Sequence, residues 1–171
     1  MGLAKKKSRV ALIIFGVSII AVFSVVLTAI FVAEYNSGRG MTKPADSEIA
    51  PETAIVKIDA QEIPVEIAAT PAATYRGLSD RPSLAPGCGM LFNFNDKQKQ
   101  EFVMRDMNFP LDIIFIAAGK IIKIAADLPP EGHNPANIYD SGAPADQVLE
   151  VNGGYCREKG INVGDNVLVN K

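Results

Sequence analysis

From Leu111 to Ile116 the chain reads LDIIFI, six residues of which only Asp112 is polar. A short apolar run rich in Ile and Phe suits a strand covered on both faces better than a helix with one apolar stripe. The fold must therefore place material on both sides of this strand. It must also satisfy one buried carboxylate, because an ionised acid in an apolar interior is costly unless it is paired or hydrogen-bonded. Arg76 and Arg81, which flank Gly77 and Leu78, are the natural partners to expect, since guanidinium binds carboxylate bidentately. Such a cluster reads either as a fold-specifying ion pair or as the lining of a pocket for a small polar ligand. Glu150, at the end of QVLE, is a weaker member of either arrangement.

The N-terminus has a different character. Lys5, Lys6, Lys7 and Arg9 precede Val10 to Ala33, a stretch with no charged residue. As a helix rising about 1.5 Å per residue it would cover roughly 36 Å, enough to span a bilayer core with some tilt. It is long for the apolar core of a signal peptide, and Phe31 breaks the small-residue pattern that cleavage after Ala33 would want. The expectation is an uncleaved transmembrane anchor at 10–33, with a cleaved signal as the alternative. The basic flank at 1–9 then stays cytoplasmic and the rest of the chain is extracytoplasmic, on the periplasmic or cell-surface side. Residues 34–51, EYNSGRGMTKPADSEIAP, have no apolar period and read as a flexible linker. All 19 acidic residues lie beyond Ala33, against 13 of the 17 basic ones, so residues 34–171 carry a net charge of −6. That balance argues against a nucleic-acid partner.

A folded domain at 52–171 follows. Ala54 to Ile58 and Ile63 to Ile67 alternate as a hairpin, and Thr70 before Pro71 predicts an N-cap and first turn, with Gly77 ending a short helix. Met90 to Phe94 reads as a strand, Asn95 to Gln100 as a turn, and Phe102 to Met107 as another strand. Leu111 to Ile116, a reversal through Gly119, and Lys120 to Ala125 form a second hairpin. Residues 126–144 hold four of the eleven prolines and read as a long ordered loop. A strand at Gln147 to Val151, a short helix before Gly160 and a last strand complete the chain. The fold class expected is mostly β: a small antiparallel β-barrel-like domain with two short helices, preceded by one transmembrane helix.

The blocks RGLSDRPSL, GMLFNF, EFVMRDMNFPLDIIFI, SGAPADQVLE and GINVGDNV, in that order, resemble the bacterial and archaeal family called domain of unknown function 192. The resemblance runs from about Ala54 to Val169 and implies a small β-rich domain, commonly exported or anchored, with no established activity. Where most relatives read phenylalanine, tryptophan, methionine, lysine, asparagine, threonine, this chain has Phe102, Val103, Met104, Arg105, Asp106 and Met107. The aromatic platform that the tryptophan would give is therefore missing.

No catalytic constellation emerges. His133 is the one histidine, no nucleophile elbow exists, and the two cysteines and scattered carboxylates lack metal-ligand spacing. No cofactor or metal is expected. Cys88 and Cys156 are free to oxidise on the exported side of a membrane, so a structural disulfide is expected, with unpaired thiols as the alternative. The long loop would rim one barrel end, where Asn134, Tyr139 and Ser141 could face Arg76 or Arg81 and favour a small anionic or hydroxyl-rich ligand. The expected function is a non-catalytic, envelope-associated binding or accessory module. The alternative is a hydrolase or transferase using Asp112 with Arg76 and Arg81. The topology has a direct check: alkaline phosphatase fused after Lys171 should be active, and inactivity there beside an active cytoplasmic reporter would reverse the assignment.

Overall fold

The computed structural model describes residues 51–170. The expected anchor at 10–33 and linker at 34–51 lie outside them, apart from residue 51, and among the described residues no helix is long and apolar enough to cross a membrane.

Seven strands form one sheet: β1 (Thr53–Ile58), β2 (Gln61–Ile67), β3 (Gly89–Phe102), β4 (Leu111–Ala117), β5 (Lys120–Leu128), β6 (Tyr139–Asn152) and β7 (Val167–Asn170). Two short helices, α1 (Pro71–Arg76) and α2 (Tyr155–Lys159), interrupt them. The spatial order is β5-β4-β6-β3-β2-β1-β7. The sheet curls into a half-barrel, and its two ends meet where Lys120 bridges Asn166 and the Val167 amide donates to the Gly119 carbonyl at 2.8 Å. The mostly β class with two short helices is as the sequence predicts.

Both faces of the sheet are covered, which is why β4 is buried at six of its seven positions. Alternate residues divide between two apolar clusters. Val56, Ile63, Leu91, Ile114, Leu149 and Val151 belong to one, which α2 completes through Tyr155 and Cys156. Met90, Phe92, Ile113, Phe115 and Val148 belong to the other, covered by Leu78, Leu84, Met104 and Met107 from the segments around α1 and after β3. Period-two alternation thus builds two cores from one set of strands.

Three expectations about the chain's course are corrected. Residues 95–100 do not turn; β3 runs on through them to Phe102, paired with β6 across two register shifts. The segment after Phe102 is irregular, with Asp106 at φ 52°, and not a strand. The stretch 126–144 is loop only in its middle, since β5 reaches Leu128 and β6 starts at Tyr139. One pairing also departs from the antiparallel rule: β2 and β3 are parallel, because the chain crosses over through α1 before returning. That crossover carries the predicted cap, with the Ala73 amide donating to Thr70 Oγ1 at 3.1 Å.

Asp112 is fully buried, and its partners are backbone amides, not Arg76 or Arg81. Oδ1 accepts from Asp127 N at 2.7 Å and Gly154 N at 2.9 Å, and Oδ2 accepts from Cys156 N at 2.8 Å. The expected disulfide is also absent: Cys88 and Cys156 are both free thiols. Cys156 is buried in the first cluster while Cys88 packs against the second. Burial and the neighbouring Asp112 carboxylate push the Cys156 thiol well above its ordinary range, so it stays protonated. Replacing Asp112→Ala leaves three amides without their acceptor, the buried one of Cys156 and the partly buried ones of Asp127 and Gly154, at about 1 to 3 kcal/mol for a buried donor and less for the other two. A loss of about 3 to 5 kcal/mol is expected in urea unfolding, and an unchanged midpoint would show the carboxylate dispensable.

Candidate functional site

The Thr70 cap and the Pro71 start fix where α1 begins, and Gly77 fixes where it ends. Gly77 adopts φ 53°, and its amide donates to the Ala73 carbonyl. A Cβ at this position would sit 3.5 Å from Phe92 Cζ and 3.8 Å from Glu150 Oε2. The helix end therefore lies directly over a side chain rising from the middle of the sheet. Backbone and side-chain bonds lace this segment to the irregular one after β3: Asp80 N donates to Asp106 O at 2.8 Å, and Ser79 Oγ to Arg105 O at 2.8 Å. Arg105 Nη2 donates to Tyr75 O at 3.0 Å while its guanidinium stacks 4.3 Å over the Tyr75 ring.

Between these segments and the sheet lies a pocket of about 220 Å³. Phe92, Phe94 and Phe102 wall it, held in edge-to-face contacts with centroids 5.1 and 6.4 Å apart. Arg76, Glu101 and Arg105 bring charge to it, and Glu150 lines it from β6. Glu150 pairs across the sheet with Met90 and Ile113, central positions that leave it 5% exposed. Its Oε2 has no hydrogen-bond partner, the one buried side-chain N or O atom among the described residues in that state. Burial raises its pKa from 4.5 to about 8, against the opposing pull of the Arg81 charge. At neutral pH it is therefore a carboxylic acid, with a proton to donate.

The residues singled out in the sequence are dispersed. Arg76 lines the pocket, is exposed, and makes no ion pair among the described residues. Arg81 is locked in a bidentate pair with Glu66, at 2.8 and 2.6 Å. That pair lowers the Glu66 pKa and raises that of Arg81. Arg81 lines a second, larger depression of about 910 Å³ beside β1 and β2, in which no buried polar atom is left unpartnered. Asp112 lines neither. Tyr139 donates to Glu131 Oε1 at 2.6 Å, Ser141 Oγ accepts from Gln100 N at 3.0 Å in the interior, and Asn134 is exposed. None of these three lines the pocket. His133 stands at the surface with Nδ1 3.2 Å from Asp106.

Fold and site together define a small curled-sheet domain with a partly aromatic pocket floored by a neutral acid. The family model for DUF192, described as Uncharacterized ACR, matches residues 54–169. The chain belongs to this family. It is similar to a proposed transcription regulator from Sinorhizobium meliloti 1021, with 32% identity over 71% of this chain and 97% of the other at a TM-score of 0.66. It is also similar to a protein of unknown function from Novosphingobium aromaticivorans DSM 12444, with 32% identity over 69% of this chain and 84% of the other at a TM-score of 0.60. No curated protein matches.

The raised pKa of Glu150 has a thermodynamic consequence. The folded state holds a proton that the unfolded state releases above about pH 4.5, so stability is highest below that value and falls as pH rises through about 8. Full ionisation should cost on the order of 5 kcal/mol. Glu150→Gln should remove that part of the decline in urea unfolding across the interval. Parallel pH profiles of the two proteins would show that Glu150 is not buried as an acid.

Proposed function

We propose that this chain is a non-catalytic binding or accessory module, tethered to the envelope by residues 10–33, that holds a small ligand in the pocket beneath Gly77. The observation that carries the reading is Glu150 Oε2, buried without a partner beside a cavity. An unsatisfied buried polar atom costs about 1 to 3 kcal/mol, and a ligand that meets it recovers that cost. The pocket is smaller than the roughly 300 to 1,000 Å³ of drug-sized sites, which favours a compact ligand. Its exposed Arg76 favours an anionic or hydroxyl-rich one.

The rival reading, a hydrolase or transferase using Asp112 with Arg76 and Arg81, draws no support from the geometry. Asp112 is engaged by three amides, and Arg81 by Glu66. Transcription regulation, the role proposed for the Sinorhizobium meliloti structure, would call for a basic surface, whereas residues 34–171 carry a net charge of −6. The partners proposed are thus the membrane, through the N-terminal segment, and a small ligand.

Acidic metabolites and envelope oligosaccharides should be screened against the protein by thermal shift. Hits should weaken about tenfold or more with Arg76→Ala, the loss expected for one charge-assisted contact. They should survive Arg81→Ala. A hit indifferent to Arg76→Ala, or no hit at all, would remove the pocket from consideration.

A further inference from the structure

The pocket has two ends of different chemistry. At the exposed end stands Arg76, the free one of three arginines in this region: Arg81 is clamped by Glu66, and Arg105 is engaged by the carbonyl and ring of Tyr75. At the buried end stands the Glu150 carboxyl, with Oε2 unpartnered. Between them the walls are the rings of Phe92, Phe94 and Phe102. We propose that the pocket takes a small anion with an apolar or aromatic body and a hydrogen-bond acceptor oxygen at its far end. Arg76 holds the anionic group at the mouth, and the Glu150 carboxyl donates to the acceptor at the floor.

This rests on the binding reading above and adds the ligand's polarity to it. A buried carboxyl could instead await an ammonium group, but the surroundings oppose that. The charged and titratable groups around Glu150 are Tyr75 and Arg76 from α1, Arg81 from the crossover, Glu101 from β3 and Arg105 from the segment after it. Arg81 is offset by Glu66 and Arg105 lies 4.0 Å from Asp106, which leaves Arg76 and Glu101 to balance each other, so the pocket holds no surplus negative charge to draw a cation. Even with Arg81 near enough to favour the carboxylate, the acid keeps its proton at neutral pH. An ammonium ligand would first have to expel that proton, whereas an acceptor oxygen uses it as it stands.

Three probes share one carboxylate and one ring and differ at the far end: para-acetylbenzoate presents an acceptor, para-isopropylbenzoate the same shape without one, and para-aminomethylbenzoate an ammonium. They should be titrated by NMR into the full chain, well below and well above pH 8. The acetyl probe should bind about tenfold tighter than the isopropyl probe at low pH, the value of one buried hydrogen bond. That preference should collapse as pH rises through about 8. In Glu150→Gln, whose amide keeps a donor, it should persist at both pH values. Equal binding of the acetyl and isopropyl probes, tighter binding of the ammonium probe at neutral pH, or a preference that titrates identically in Glu150→Gln overturns the assignment while leaving the pocket a binding site. If no probe moves a pocket resonance at millimolar concentration, the binding reading falls with it.

Discussion

Three backbone amides converging on the Asp112 carboxylate tie β4 to the end of β5, the turn out of β6 and the start of α2. Oδ1 reaches Asp127, where β5 leaves regular register with β4, and Gly154, where the chain turns out of β6. Oδ2 reaches Cys156 in the first turn of α2. That helix begins at Gly154, which has no side chain to cap it, so Asp112 serves as its cap from another strand. A carboxylate that accepts from three amides is compensated in a way a single ion pair cannot match, because each oxygen's charge is met in place and no long cation has to be buried with it. With α2 held, Tyr155 and Cys156 close the first core cluster. The Gly153 amide is then placed to donate to the Pro110 carbonyl at 2.8 Å, fixing the entry to β4 itself.

The second buried carboxylate shows the opposite outcome under the same burial. Glu150 lies on the strand next to Asp112, opposite Ile113, and faces the other cluster. Its side chain is one carbon longer and rises past the sheet's amides, which are already used in strand pairing, toward α1. At Gly77 the helix end offers it no donor, since the Gly77 amide is engaged by Ala73. Arg81, the cation that acts on it electrostatically, is held by Glu66 on β2. The fold therefore ties the guanidinium that acts on the acid to another carboxylate, and the acid responds by keeping its proton.

Local chemistry was legible in the sequence wherever a residue's role depends on near neighbours. The run Leu111–Ile116 gave away a doubly covered strand, Thr70-Pro71 and Gly77 bounded a helix, and Ala117 to Gly119 marked a reversal, because in each the decisive interaction spans a few residues. The strands at Met90–Phe94 and Gln147–Val151 were legible, but not the full length of β3 and β6. Asn95 to Gln100 and Ser141 to Pro144 are polar or turn-forming, and they pair only because each stretch meets the other, more than forty residues away. The parallel β2–β3 contact is hidden for the same reason, as nothing in either strand says which neighbour the crossover delivers.

Of the residues singled out in the sequence, Arg76 and Glu150 line the pocket, and the sequence does not show that they belong together. Asp112 and Glu150 both stand out as acids within apolar runs, and Arg76 and Arg81 as nearby cations, yet pairing the first acid with the arginines follows only from electrostatics blind to the backbone. Amides are invisible in a sequence, and here they decide the matter: the acid that finds three becomes structural, and the acid that finds none is left facing a cavity. What separates the two roles is the supply of donors at each place in the sheet. Asp112 sits opposite Val151, next to the end of β6 where a turn exposes free amides, whereas Glu150 sits one residue earlier, where the Met90 and Ile113 strands on either side leave the backbone paired.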